Sequence, residues 1–283
     1  AMGPKGFENA GGEVIIDQVV NIDSEAKKLE TKSGQEFSYN KLVFATGSTP
    51  TVPTFIEGYD LEGVSYIRKR YNYIDELRSE IEDKDKIIVI GGGFIGVEVA
   101  EQLGKYEDKE VSIIEMEKHC LYQAFSPDYA KKSDELLTDV GVNVVTGKKV
   151  KKILGKDGHV KGVELDDGYQ IEADLVISAI GFDPHTKLAA ETGLALNKNN
   201  AIRVDNYLRT SAEDIYAVGD CAGTIGFITG RTDNIMLAST ATAEARVLGY
   251  NLFNIKLLRN FNGTLSVFST EINNRAFASA GAI

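Results

Sequence analysis

The sequence predicts an α/β fold, and three observations predict it. Lys86-Ile87-Ile88-Val89-Ile90 and Val111-Ser112-Ile113-Ile114 are continuous apolar runs, as expected of parallel strands covered on both faces. A glycine cluster and then a helical repeat, Val97-Glu98-Val99-Ala100-Glu101-Gln102-Leu103, separate those two runs. A meander follows, turning at Lys156-Asp157-Gly158 and Asp166-Asp167-Gly168. The 283 residues suggest about two domains, at ~100–200 residues each. With 43% hydrophobic and 26% charged residues, the composition excludes wholesale disorder and collagen-like or low-complexity chains.

Taken in order, the chain opens with β signals at Glu13–Ile16 and Asp17–Ile22, a turn at Ser33-Gly34, and a short buried strand, Lys41–Gly47, ending in glycine. Pro50 and Pro53 break regular structure and read as a crossing between domains. A charged helix is expected over Tyr73–Glu82. The strand at Lys86, the glycine cluster, the helix ending at Gly104 and the strand at Val111 come next. Ser126-Pro127-Asp128 opens a helix reaching about Val140, with a cap residue and then proline. The meander closes on Asp174–Gly181. Beyond it lie a small helix near Thr186–Glu191, a strand at Ala201–Val204, a short apolar strand ending in Gly219-Asp220, and a long helix over Met236–Leu252. Gly263–Phe268 and Arg275–Ser279 read as an exposed hairpin with an unprotected edge that could pair with another copy.

The net charge of −11 argues against nucleic acid or an anionic membrane surface as main partner. No apolar run approaches the ~20 residues of a membrane-spanning helix. The start, Ala1-Met2-Gly3-Pro4-Lys5, lacks the apolar core of a signal peptide and reads as a cloning remnant. Two cysteines, Cys120 and Cys221, make no disulfide framework and fit a reducing, cytoplasmic setting. His119, His159 and His185 have no metal-ligand spacing, so no metal is expected.

The strongest local signal is Gly91-Gly92-Gly93-Phe94-Ile95-Gly96, a G-x-G-x-x-G between a strand and a helix. Gly91 permits a tight turn, Gly93 lets backbone approach a diphosphate, and Gly96 lets helix and strand pack closely. The helix N-terminus adds unpaired N–H groups and partial positive charge. Glu115 ends the next strand, 24 residues after Gly91. Its carboxylate can accept from a ribose 2′-hydroxyl and would repel a 2′-phosphate, which favours NAD over NADP, with Lys118 nearby as a counter-signal. A loop that merely joins strand to helix is the alternative. Thr46-Gly47 and Gly219-Asp220 each close a short buried strand, where α/β folds bind ligands. Asp220 could accept from sugar or polyol hydroxyls, or simply cap a helix or loop.

Together, Ala45-Thr46-Gly47-Ser48-Thr49-Pro50, Gly91 to Glu98, Gly181-Phe182-Asp183-Pro184 and Thr210-Ser211 through Asp220 resemble the FAD- and NAD(P)H-dependent pyridine nucleotide-disulfide oxidoreductases. Phe227–Arg231 and Leu237–Ala241 are most similar to the NADH oxidase, NADH peroxidase and coenzyme A-disulfide reductase branch. The resemblance runs from about Gly11 to Ile283. It implies a Rossmann-like central NAD-binding domain with a three-stranded meander (84–182), inserted in an incomplete FAD-binding domain (11–83 and 183–252), and the start of a C-terminal interface domain (261–283). It also implies that Asp220 binds the flavin ribityl chain, with Thr46, Gly47 and Gly219 beside it. Ala238 and Ser239 would face the flavin pyrimidine, Phe94 would lid the nicotinamide pocket, and Glu98 would contact the nicotinamide end, near Gly181. Core packing for Phe94, a solvated helix carboxylate for Glu98 and a plain helix start for Ala238 and Ser239 remain open beside these roles.

The family's first glycine loop and redox cysteine are not in this sequence. Gly91 and Leu175 are 84 residues apart, and the same distance before Leu42 lies upstream of residue 1, so residues 1–47 are expected to be the tail of a unit whose head is missing. No catalytic residue is therefore assigned, and Cys120 and Cys221 read as ordinary packed cysteines. The expectation is a piece of a flavoprotein oxidoreductase passing hydride from NADH to FAD, then to a disulfide, peroxide or oxygen. This piece would hold NAD(H), bind FAD weakly or not at all, and be inactive by itself without the missing N-terminal flavin and cysteine segment. The parent would be a homodimer acting on a small molecule. A non-catalytic NAD(H)-binding module is the alternative. An unrelated NAD-only dehydrogenase would need a catalytic base that no histidine or lysine here signals.

Overall fold

The computed structural model describes residues 5–253 and 257–281. Residues 1–4, read as a cloning remnant, and the last two residues of the 261–283 segment lie outside that description. The chain divides into two compact units. The first comprises residues 1–47, 184–225 and 232–263, and the second 48–183, 226–231 and 264–283.

The second unit is built on five parallel strands in the order Val64–Tyr66, Leu175–Ser178, Lys86–Ile90, Glu110–Glu115 and Asn143–Thr146. The unbroken apolar run at 86–90 is explained by what lies on either side. Ile87 and Val89 pack with Val97, Ala100 and Leu103 of the helix Phe94–Gly104 and with Leu137 of the helix Pro127–Asp139. Ile88 and Ile90 turn the other way, onto Ile153, Val163 and Leu165 of the antiparallel meander Val150–Lys156, His159–Leu165 and Gln170–Glu172. Each such side chain contributes about 1.5–3 kcal/mol by leaving water, so a polar residue on either face would be costly. The chain is thus an α/β protein with a Rossmann-like parallel sheet.

The first unit is built on sheets of two and three strands. Val19–Asp23, Lys28–Thr31 and Glu36–Ser38 form an antiparallel meander. Leu42–Phe44 runs parallel to Ile215–Ala217, and Ile22, Phe44, Ile215, Ala217 and Cys221 share a core. The helix Ala238–Leu252 buries Thr240, Glu244, Leu248 and Asn251 as one stripe.

Several elements differ from expectation. Residues 13–16 form no strand, and Ile16 is 99% exposed. Pairing with the neighbouring strand begins only at Val19, opposite Thr31, so the apolar content ahead of it has no described partner. The charged helix starts at Tyr71 and the long one at Ala238. The C-terminal hairpin, Val267–Ile272 and Arg275–Ala280, is not merely an exposed edge. Its Ile272 and Phe277 are buried in the core around Ile87 and Val97. Asn273 and Asn274, both at positive φ, make its two-residue turn.

Candidate functional site

In the second unit the glycine loop sits at the carboxyl end of the central strand. Gly91 has φ +106°, and a Cβ there would lie 2.6 Å from the Ala179 carbonyl oxygen. At Gly96 a Cβ would lie 1.8 Å from the Gly91 carbonyl oxygen. Both positions exclude a side chain because the backbone closes on itself there. Gly93 is the opposite case, since a Cβ would meet nothing within 4 Å. Its extended backbone caps the helix Phe94–Gly104, and Val97 makes the first N–H bond back to it. The N–H groups of the first turn, from Phe94 through Gly96, therefore lack intrahelical acceptors. Ile95 is half-buried in that turn.

Glu115, at the end of the adjacent strand, is braced beneath this loop. The Gly92 N–H donates to its Oε2 at 2.5 Å and the Glu117 N–H to its Oε1 at 2.7 Å. A carboxylate has about four acceptor sites, so both oxygens keep capacity for a ligand's hydroxyls. Cys120 lies under Gly92, fully buried. Burial, with the carboxylates of Asp134 and Glu115, pushes its thiol well above the ordinary range. That is the opposite of what a nucleophilic thiolate needs. Gly181, with φ +134°, follows the strand Leu175–Ser178, and its carbonyl accepts from the Thr51 N–H at 3.0 Å.

Phe94 and Glu98 occupy the outer face of the same helix, and both touch protein. The Phe94 ring stacks on Phe268 with centroids 5.2 Å apart, and meets Phe125 edge-on at 6.0 Å. Glu98 is exposed, and its Oε1 accepts from the Thr270 hydroxyl at 3.1 Å.

In the first unit, Gly47, Gly219 and Asp220 line an open cleft of about 650 Å³ with Ala45, Val218, Ala241, Thr242, Ala245 and Arg246. Thr46 stands beside it, its hydroxyl donating to the His185 carbonyl at 2.6 Å. Ala238 and Ser239 are exposed at the start of their helix and do not line this cleft. Beneath it lies Glu244, 1% exposed. Its Oε2 accepts from the Gly219 N–H at 2.7 Å and its Oε1 from the Thr224 hydroxyl at 3.1 Å. Burial is the main cause that pushes its carboxyl up to about 6, against the two hydrogen bonds, with the Asp220 charge adding to the rise.

The model of the pyridine nucleotide-disulphide oxidoreductase family matches residues 6–245. The chain belongs to that family. It is 36% identical over 265 residues to an NADH oxidase of Streptococcus pneumoniae, covering 87% of this chain and 56% of that one. A rubredoxin-NAD(+) reductase of Pseudomonas putida is 33% identical over 235 residues, covering 83% and 60%. Among solved structures, a water-forming NADH oxidase from Lactobacillus brevis bound to NADH superposes with a TM-score of 0.91 at 28% identity, covering 100% of this chain and 62% of that one. The chain thus spans 56–60% of the length of the two curated relatives.

For this family member the loop over 91–96 can take a dinucleotide diphosphate. Open space at Gly93, free donors in the first helical turn and the braced carboxylate of Glu115 supply the fit. The cleft at Gly47, Gly219 and Asp220 can take polyol hydroxyls. Sequence reasoning missed Glu244 and Arg246. Their signal was present in the helix period: Glu244 falls on the stripe of Thr240 and Leu248, while Arg246 lies one turn after Thr242 on the cleft side. A charge in a buried stripe could have marked Glu244 as a carboxylate with a fixed task.

Proposed function

We propose that the protein is a flavoprotein oxidoreductase, or a piece of one, that takes hydride from NADH. When bound, the nicotinamide supplies the hydride and FAD accepts it, for delivery to a disulfide, a peroxide or oxygen. The observation that carries this reading is the loop at Gly91–Gly96, closed at Gly91 and Gly96, open at Gly93 and underpinned by Glu115. The first-turn N–H groups would hold the diphosphate, and Glu115 would accept from the adenosine ribose. Phe94, Glu98 and Gly181 would border the nicotinamide end. In the first unit, Asp220 would accept from the flavin ribityl chain, with Thr46, Gly47 and Gly219 beside it. The exposed helix start at Ala238 and Ser239 would offer N–H groups to the pyrimidine edge.

The NAD-binding segment is assigned to 84–182, the flavin-binding segments to 11–83 and 183–252, and the start of an interface domain to 261–283. The substrate is a small molecule, and the whole protein acts as a homodimer. No helix among the described residues is long and apolar enough to cross a membrane. Two buried, free cysteines support a cytoplasmic setting. The relatives reported above carry enzyme names and lend nothing to the alternative of a non-catalytic module. Titration with NADH followed by dihydronicotinamide fluorescence, then anaerobic addition of FAD, tests the proposal. Saturable NADH binding is expected of this chain, with at most slow loss of dihydronicotinamide absorbance that needs high FAD, because the piece is expected to hold FAD weakly. NADH binding with no flavin uptake or oxidation, by this chain and by the intact protein alike, would favour the module instead.

A further inference from the structure

The C-terminal hairpin makes a matched set of contacts with the helix that carries Phe94 and Glu98. Phe268 stacks on Phe94 with ring planes 16° apart. Two residues along the strand, the Thr270 hydroxyl donates to Glu98 at 3.1 Å. At the turn, the Asn273 N–H donates to Glu101 Oε1 at 3.2 Å. The periods agree: two strand residues advance about 6.6–6.8 Å, and four helical residues about 6 Å. Residues 268 and 270 on one strand face therefore keep step with 94 and 98 on one helix face. Ile272 and Phe277, both in the core, and the Asn273–Glu101 bond hold the hairpin in this register. Glu101 is itself buried and tied to Lys105 at 2.8 Å and Gln102 at 2.7 Å.

We propose that this hairpin is a positioning element of the dinucleotide site, with Phe268 setting the ring of Phe94 and Thr270 setting the carboxylate of Glu98. The assignment rests on reading the 91–115 region as that site, and it adds residues far along the sequence from the glycine loop. An aromatic ring stacked on one face presents its other face and edge in a fixed plane. A surface carboxylate tied to a buried hydroxyl loses less rotamer freedom when a ligand arrives. Both effects act at the nicotinamide end and leave the diphosphate and adenosine contacts alone.

Two ligands separate this role from a structural one. NADH reaches the nicotinamide end, whereas ADP-ribose occupies only the loop and Glu115. Dissociation constants for both are measured on the full chain and on Phe268→Ala, Thr270→Val, Phe268→Tyr and Thr270→Ser, each with its melting temperature. Phe268→Ala and Thr270→Val are expected to weaken NADH about 3- to 10-fold, with ADP-ribose unchanged within about twofold. Phe268→Tyr and Thr270→Ser should bind NADH as the parent chain does. Valine keeps the shape of the buried threonine, so the second pair stays informative if Phe268→Ala unfolds. Equal weakening of both ligands, or no change in either, overturns the positioning role. If the parent chain binds ADP-ribose as tightly as NADH, the nicotinamide end makes no contact and the hairpin assignment alone falls. If it binds neither, the dinucleotide reading falls first and takes the hairpin with it.

Discussion

Glu244 sits 1% exposed beneath the Gly219-Asp220 turn and accepts hydrogen bonds from the Gly219 N–H and the Thr224 hydroxyl. Its carboxyl titrates near 6 against an ordinary 4.5, chiefly because burial disfavours the charge. The folded state therefore binds the proton more tightly than the unfolded chain. Stability from this group is fully present below about pH 4.5 and is lost as pH rises through 6, by about 2 kcal/mol in all. Glu244→Gln keeps the shape; its amide oxygen can accept from Gly219 and its nitrogen can donate to the Thr224 oxygen. Urea unfolding between pH 4.5 and 7.5 should show this decline in the parent chain and a flatter profile in Glu244→Gln. Glu244→Ala removes the acceptor of the part-buried Gly219 N–H and of the buried Thr224 hydroxyl and should cost about 1–3 kcal/mol at pH 7. The sequence did not disclose this residue as special. Its partner Thr224 is 20 residues away, and only the folded helix brings them together. Gly91, Gly93 and Gly96 were legible, because a strand–loop–helix junction demands glycine for reasons local to the motif. Whether a given glycine is closed or open took the structure to show: a Cβ collides at Gly96 and meets nothing at Gly93.

Among the elements, the buried strands at 86–90, 110–115 and 175–178 were legible since each is apolar on both faces. The outer strands, Val64–Tyr66 and Asn143–Thr146, are three and four residues long with mixed burial, too little pattern for a period to emerge. The reverse error occurred at Glu13–Ile16, where apolar composition without a described partner strand yields exposed chain. The hairpin at 267–280 combines both lessons. Its second strand was readable, but the first lies at Val267–Ile272 rather than 263–268, and the exposure expected of the hairpin fails because Phe277 and Ile272 are buried against residues nearly 200 positions earlier, such as Ile87. Phe277 lies 6% exposed and edge-on to Phe125 at 5.6 Å. Phe277→Ala should therefore destabilise the second unit by about 3 kcal/mol or more, read as a shifted urea midpoint with an unchanged slope. A purely exposed hairpin would give a loss under about 0.5 kcal/mol.

At the scale of the whole molecule, dinucleotide and flavin recognition are proposed to fall on different units. The second carries the glycine loop with Glu115, and the first carries the cleft at Asp220. The family was legible because four short motifs occur in fixed order, each tied to a strand end where the backbone must turn. The electron acceptor was not, since no described residue offers a reactive thiol: Cys120 and Cys221 are both buried. Glu115 predicts dinucleotide choice. A 2′-phosphate beside it meets a carboxylate that two backbone N–H groups hold in place, so NADPH should bind about tenfold or more weakly than NADH. Competition calorimetry checks that ratio, and Glu115→Ala should narrow it by weakening NADH. The most direct test of the account is calorimetric titration of NADH into the parent chain and into Gly93→Ala, with melting curves for both. The account predicts saturable one-to-one binding by the parent chain, weakened about tenfold or more in Gly93→Ala while the melting temperature falls by no more than the few degrees a poorer helix cap costs. A well-folded parent chain that takes up no NADH, or a Gly93→Ala variant that binds it equally well, would contradict the claim that this loop carries the dinucleotide.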